Sequence, residues 1–237
     1  PKIPGFIHVP FNDIDAIKAV VNEKTCAIML EPIQGEGGVN EASDEYITEL
    51  RRICDQNKIL LIFDEVQTGI GRTGKLYAYE HYNIEPDIMT LAKGIGGGYP
   101  LSAMLAKDYL NIFEAGDQGG TYSSQPLGMA VGLAVVNEII QKNMSKNAET
   151  KGQYIIDNLI KISKKYGLKN IRGKGLLLAF DLPKDIGKDF VTECFIAGLL
   201  LNSPKPATIR LMPALIVSKK DINKMIGILT QVLDRIL

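Results

Sequence analysis

Apolar positions along the chain follow two periods. Five successive apolar residues, Ile59–Phe63, show no alternation, which predicts a parallel strand covered on both faces. Ile88–Ala92 reads as a second buried strand, and Cys26–Leu30 and Leu101–Ala106 as two more. Between them the spacing turns helical. Ile14, Ile17, Val20 and Val21 predict a helix over Asn12–Lys24 with Asn12 or Asp13 as its cap. Ile47, Leu50, Ile53 and Cys54 predict a second over Ser43–Lys58, capped by Ser43, with Asp44 and Glu45 at its positive end. Strands alternating with helices in this way predict an α/β fold with a mostly parallel sheet.

Farther along, Lys75–Tyr82 is a weak aromatic helix and Pro126–Gln141 a strong one. The latter carries Gly128, Ala130, Gly132 and Ala134, small residues that allow close packing at a subunit interface or on the sheet. The polar break at Lys142–Asn147 marks a domain boundary and divides the chain into 1–145 and 146–237. Beyond it come a helix at Ala148–Tyr166, a strand entered through glycines at Ile171–Phe180, a helix at Lys188–Leu200, a strand at Thr208–Met212 and a helix at Lys219–Leu237. This second part reads as a small C-terminal α+β domain.

Composition narrows the function. Of the 237 residues, 46% are hydrophobic and 23% charged, which is ordinary for a globular protein. A formal net charge of zero offers no electrostatic footprint for nucleic acid or an anionic membrane. No apolar run approaches the ~18 residues of a membrane span, and the amino-terminal residues do not resemble a signal peptide. Cys26, Cys54 and Cys194 are odd in number and widely spaced, so they suggest neither a disulfide framework nor a metal site and fit a reducing cytoplasm. His8 and His81 are too few for a histidine metal centre.

The chemistry concentrates at strand ends. Lys93 leaves the Ile88–Ala92 run beside Gly94-Ile95-Gly96-Gly97-Gly98 and can project into an uncrowded cleft. A partly desolvated lysine there would lose its proton more readily and attack a carbonyl. On that stretch alone, a surface lysine before a loop is an equal reading. Asp64 and Glu65 follow the Ile59–Phe63 run, and ligands of open α/β sheets bind outside the carboxyl ends of strands. A lysine able to form an imine and an acid able to keep a pyridine nitrogen protonated are what pyridoxal phosphate requires as an electron sink. The alternative for Asp64 is a helix cap or a solvated turn. Glu31–Gly38 follows Cys26–Leu30 and suggests a ligand-facing loop, although Glu36 alone reads equally as a solvated charge. Gly69-Ile70-Gly71-Arg72-Thr73-Gly74 matches G-x-G-x-x-G, yet it neither follows a strand at once nor opens a strong helix, so it reads as a tight loop anchored by Arg72. Gly116–Gln125 has the glycines and hydroxyls of an anion-binding loop or a plain turn. The Arg210 guanidinium can grip a carboxylate with two parallel hydrogen bonds, or lie on the surface.

Glu31-Pro32-Ile33-Gln34-Gly35-Glu36-Gly37-Gly38-Val39, Phe63–Gly74, Ala92–Gly98, Thr121–Gly128 and Ile209–Leu215 together resemble, in order, the motifs of class III aminotransferases, fold-type I pyridoxal-phosphate enzymes. The resemblance is greatest to members that move the δ-amino group of acetylornithine to 2-oxoglutarate in arginine biosynthesis. It implies a cytoplasmic homodimer with a shared active site, acting on a small amino donor and an oxo acid. It also implies roles. Lys93 holds the cofactor and shuttles the proton, Asp64 meets the ring nitrogen, Val66 packs on the ring and Gln67 faces the phenolic oxygen. Thr121 reaches the phosphate in the neighbouring subunit. Glu36 pairs with an arginine when the amino substrate binds and swings away for a dicarboxylate, while Arg210 grips the α-carboxylate of 2-oxoglutarate or glutamate. Ser123, Ser124 and Gln125 stand where the family more often has Gly-Gly-Asn. The family also carries a portion ahead of Pro1, with a phosphate loop and a ring-covering aromatic, so the chain resembles the carboxy-terminal part of such an enzyme.

Other readings make separate expectations. An ornithine or 4-aminobutyrate aminotransferase, or an aminomutase, would share these motifs. A nucleotide-binding module would use the Gly69–Gly74 loop, and an inactive folded fragment would retain no cofactor.

Overall fold

The computed structural model describes residues 3–117 and 119–237. Residues 1 and 2, and the part of the Gly116–Gln125 loop reading that falls on residue 118, lie outside the described residues.

Helix α1 (Ile14–Val20) is shorter than its spacing suggests. Asn12 has φ +62°, Asp13 accepts from the Ala16 N–H at 2.9 Å, and Val21 is already extended. Strand β1 (Ala27–Leu30) follows, then a hairpin of β2 (Ile33–Gln34) and β3 (Asn40–Glu41) too short and polar to be visible as a periodic pattern. Helix α2 (Asp44–Asn57) is capped by Ser43, as expected. Strands β4 (Leu60–Asp64), β5 (Ile88–Leu91) and β6 (Ala103–Ala106) complete a four-stranded sheet in the order β1-β4-β5-β6. Its first three strands are parallel and β6 is antiparallel.

Ile47, Leu50, Ile53 and Cys54 of α2 pack on Ile28, Leu61 and Phe63, one face of this sheet. The opposite face is open within this chain: Met29 is 56% and Met104 57% exposed. The two-sided covering expected for Ile59–Phe63 is therefore present on one side only, because the chain places its apolar helix stripe against that side alone. Asp87 ties the two central strands. Its carboxylate accepts from the Leu61 N–H at 2.8 Å, from Arg51 at 2.9 Å and from the Tyr109 hydroxyl at 2.8 Å. Burial works to raise its pKa, and these donors outweigh burial and hold it below the ordinary carboxylate value.

Helix α3 (Pro126–Gln141) keys into the turn after β5. A Cβ at Gly132 would lie 2.7 Å from Leu101 Cδ2, one at Gly128 3.3 Å from Tyr99, and one at Gly97 2.7 Å from Val135. Gly128 and Gly132 thus serve packing within the chain, whereas Ala130 and Ala134 are exposed.

Helix α4 (Met144–Tyr166) begins earlier than expected, so the polar break shrinks to Lys142 and Asn143. The Asn147 side chain donates to the Leu215 carbonyl and Ala148 is buried, which draws these residues into the helix. The predicted strand Ile171–Phe180 is two strands, β7 (Lys169–Lys174) and β8 (Leu177–Asp181). Gly173 at φ +112° and Gly175 at φ +54° turn the chain back between them. Helix α5 (Gly187–Ile196) stops short of Leu200 because Gly198 is left-handed and the Leu199 N–H closes on Cys194 O. With β9 (Thr208–Leu211) these strands form an antiparallel sheet β7-β8-β9, and α6 (Lys219–Ile236) closes the chain. Its core joins Phe180 and Phe190, edge to face at 6.5 Å, with Ile155, Leu159, Leu229 and Val232. Cys54 and Cys194 are buried, and burial pushes both thiols up to about 12.

Candidate active site

Strand register brings the candidate residues together. Leu30 pairs with Phe63, and Asp64 with Thr90, so Glu31, Asp64 and Lys93 all emerge at the carboxyl ends of adjacent parallel strands. Lys93 opens a 3-10 turn, Lys93–Gly96, after an extended Ala92. Its φ of +45° is left-handed, a conformation that costs a non-glycine residue about 1–2 kcal/mol and that clusters at functional sites. The side chain is exposed, so this chain does not supply the desolvation expected around it. Beside it lies an open depression of about 580 Å³ bounded by Gly98, Tyr99, Pro100, Leu101 and Ser102. Asp64 does not line that depression.

Asp64 divides its two oxygens. Oδ1 accepts the Val66 N–H at 2.9 Å and fixes the turn, while Oδ2 has no hydrogen-bond partner among the described residues. The capping role and a ligand role are therefore compatible in one carboxylate. Val66 is half-buried beside it. Glu65 points the other way into the protein. Its buried carboxylate accepts from the Thr68 hydroxyl at 2.7 Å and from the Ala78 and Tyr79 N–H groups at 2.8 Å. Desolvation raises its pKa against those three donors.

Arg210 reaches this edge from β9. Its Nη1 lies 2.9 Å from Glu36 Oε1 and donates to Gln67 Oε1 at 3.1 Å, while Gln67 Nε2 donates to Glu36 Oε1 at 3.3 Å. Arg210 is buried, and its Nε has no partner among the described residues. Glu36 is largely exposed; hydrogen bonds from Arg210 and then Gln67 hold its carboxyl below the ordinary range. Gln67 thus joins the Glu36–Arg210 pair as well as flanking the Asp64 turn.

Glu31 was visible only as part of an acidic, glycine-rich loop. It is half-buried, and Oε2 accepts the Gly35 N–H at 2.9 Å. Burial raises its pKa first, the Gly35 N–H opposes that, and the charges of Asp64, Lys93 and Glu36 act on it in turn. Gly35 has no room for a side chain, since a Cβ there would fall 1.7 Å from Gln67 Oε1.

Thr121 lies in an exposed turn ahead of α3. Its carbonyl accepts from the Gln125 side chain, and no hydrogen bond joins it to Lys93, Asp64 or Glu36 among the described residues. The Gly69–Gly74 segment is a packed turn: Gly71 lies against Ser145, Ile139 and Leu215, and Gly74 against Glu149. Arg72 anchors it, donating to the Leu176 carbonyl at 3.2 Å and the Pro213 carbonyl at 2.6 Å. No helix opens directly from this segment, which removes the dinucleotide geometry. A larger cleft, about 640 Å³, lies between this turn and α4 near His81 and Tyr154, and none of the strand-end residues lines it. Among the described residues, no cluster of His, Cys, Asp and Glu could hold a metal ion, and no helix is long and apolar enough to cross a membrane.

A lysine and a carboxylate thus stand at neighbouring strand ends, faced by an arginine from a second sheet, and the solved structures that superpose on the chain make this a fold-type I α/β transferase. Acetylornithine aminotransferase from Elizabethkingia anophelis superposes with a TM-score of 0.92 at 32% identity, covering 98% of this chain and 63% of that one. The ornithine aminotransferase from Toxoplasma gondii, whose structure is described as having partial occupancy of PLP at the active site, gives a TM-score of 0.92 at 30% identity, covering 100% of this chain and 57% of that one. The chain belongs to the class-III aminotransferase family, whose sequence profile, Aminotransferase class-III, matches residues 2–233. Acetylornithine aminotransferase from Caldanaerobacter subterraneus subsp. tengcongensis is 46% identical over 237 residues, and the chain spans 60% of its length.

Proposed function

We propose that the full-length protein is a pyridoxal-phosphate aminotransferase that moves the δ-amino group of acetylornithine to 2-oxoglutarate in arginine biosynthesis. The observation that carries this reading is the emergence of Asp64 and Lys93 at the ends of adjacent parallel strands. The residues fit the cofactor: Lys93 is an exposed amine at one strand end, and Asp64 keeps one carboxylate oxygen without a partner at the next. When bound, the cofactor supplies an electron sink for the carbon that bears the migrating amine.

The residues divide the remaining work. Lys93 Nζ would anchor the cofactor and then hold and return the substrate proton. Asp64 keeps the ring nitrogen protonated, Val66 packs against the ring, and Gln67 donates toward the phenolic oxygen. Arg210 binds the α-carboxylate of the oxo acid, and Glu36 covers Arg210 while the amino donor is bound. Thr121 serves the cofactor phosphate of a second subunit in a homodimer. In this reading residues 1–145 belong to the cofactor-binding domain and 146–237 to a small domain, and the enzyme works in the cytoplasm.

The full-length protein and its Lys93→Ala variant, each mixed with pyridoxal phosphate, provide the test. The wild type should gain the visible absorbance of a lysine-bound cofactor and convert acetylornithine with 2-oxoglutarate, and the variant should do neither. Both properties surviving in the variant would overturn the role of Lys93. A higher kcat/KM for ornithine or 4-aminobutyrate than for acetylornithine would overturn the choice of donor.

A further inference from the structure

Resting on the aminotransferase reading above, we infer that Glu31 is a positioning residue for the Glu36–Arg210 gate, holding the Gly35 peptide nitrogen and so fixing where Glu36 sits. The loop between β1 and β3 is tethered along its length. Its far end is tied to the second sheet, where Arg172 Nη2 donates to the Gly38 carbonyl at 2.7 Å, and Asn40 donates to the Gly37 carbonyl at 3.0 Å. Its near end is held by the Tyr82 hydroxyl, which donates to the Pro32 carbonyl at 3.2 Å, while the Gly35 N–H itself donates to Glu31 Oε2 at 2.9 Å. Glu36 comes immediately after that peptide.

Gly35 also transmits the position. Its α-carbon lies so close to the Gln67 amide that no Cβ is tolerated, and that amide both donates to Glu36 and accepts from Arg210. A shift of the Gly35 peptide therefore moves Gln67 and Glu36 together. An ionised acceptor makes the tether roughly twice as strong as a neutral hydrogen bond. Glu31 also lies within the electrostatic reach of Asp64, Lys93 and Glu36, so its charge belongs to the same group.

The gate has two settings. With Glu36 on Arg210, the guanidinium is neutralised and an amino donor is accommodated. With Glu36 displaced, Arg210 is free for the α-carboxylate of the oxo acid. Loss of the Glu31 tether favours displacement. The half-reactions should therefore respond unequally.

In the full-length protein, Glu31→Ala should lower kcat/KM for the amino-donor half-reaction about tenfold, mainly through KM, and change the 2-oxoglutarate half-reaction less than about threefold. Glu31→Gln keeps an acceptor for the Gly35 N–H and should stay within about threefold of wild type in both. Amide exchange of the 31–38 segment in the cofactor-free protein should quicken about tenfold in Glu31→Ala and stay near wild type in Glu31→Gln. If Glu31→Ala does not fold, Glu31→Asp, one methylene shorter and still charged, carries the same expectation. Equal losses in both half-reactions, unchanged exchange, or a Glu31→Gln variant that behaves like Glu31→Ala would overturn the inference. A wild-type protein that binds no cofactor would overturn the aminotransferase reading instead, and the exchange measurement would still decide whether Glu31 holds the loop.

Discussion

Glu36 Oε1 lies 2.9 Å from Arg210 Nη1, with the Gln67 amide bonded to both, so a loop beside the first sheet is joined to strand β9 of the second by three side chains. The link is electrostatic on one side and neutral on the other. Under the proposed function, a substrate carboxylate would take the place of Glu36 on Arg210, which also donates to Gln67.

This pair sets a pH dependence. Arg210 and Gln67 hold the Glu36 carboxyl below its ordinary value of 4.5. A group with a depressed folded-state pKa contributes stability above its unfolded value and loses it as pH falls through the folded one. The pair should be intact at about pH 5 and break only below 4.5. Because Glu36 is exposed, the stability at stake is under ~1 kcal/mol. Carbon-13 NMR of the Glu36 carboxyl should give a midpoint below 4.5, returning toward 4.5 in Arg210→Ala. An identical midpoint in both proteins would remove the coupling.

Arg210→Lys tests carboxylate recognition. Lysine keeps the charge and loses the planar fork, at a cost of about 2 kcal/mol, or roughly thirtyfold in KM for 2-oxoglutarate, with kcat little changed. Steady-state kinetics at saturating amino donor would show this, and an unchanged KM would assign the substrate carboxylate elsewhere.

Glu65 is predicted to matter for stability. Glu65→Ala strands the Thr68 hydroxyl and the Ala78 and Tyr79 N–H groups beside a buried cavity. A loss of about 2–4 kcal/mol follows in denaturant unfolding. Glu65→Gln should fall between the alanine variant and wild type, because its amide places a donor against one of the three donors. Wild-type stability in both variants would contradict the network.

Arg72→Ala removes the donor to the Leu176 and Pro213 carbonyls. The contact joins the turn after β4 to the second sheet, so the variant should lose about 2–3 kcal/mol and become easier to cleave near Thr73 by limited proteolysis. Unaltered cleavage would show that the joint is held by other contacts.

Sequence reading reached what depends on local pattern. Short, mainly apolar runs located the strands that place Asp64 and Lys93, and the stripe of Ile47, Leu50 and Ile53 located α2. The capping of Ser43 followed from residue type alone. Features set by turns were hidden. The β7–β8 hairpin looked like one strand because Gly173 and Gly175 read as the entry to the apolar run Leu176–Phe180, whereas their positive φ values reverse the chain. The β2–β3 hairpin has two residues in each strand and no periodicity. The Glu31–Gly35 bond depends on loop closure, which composition does not encode, and the exposure of Lys93 depends on what surrounds it in space. Reading Arg72 as an anchor succeeded because a glycine-rich turn without a following helix leaves an arginine little else to do.

The fit of α3 against the Lys93 turn has a mechanical consequence. Gly132 on Leu101 and Val135 on Gly97 leave no slack between them, so helix and turn shift as one body. The outer side of the same helix shows Leu127 and Leu133, 64% and 65% exposed. A side chain added at Gly132 or Gly97 would have to displace the helix or the turn that Lys93 opens.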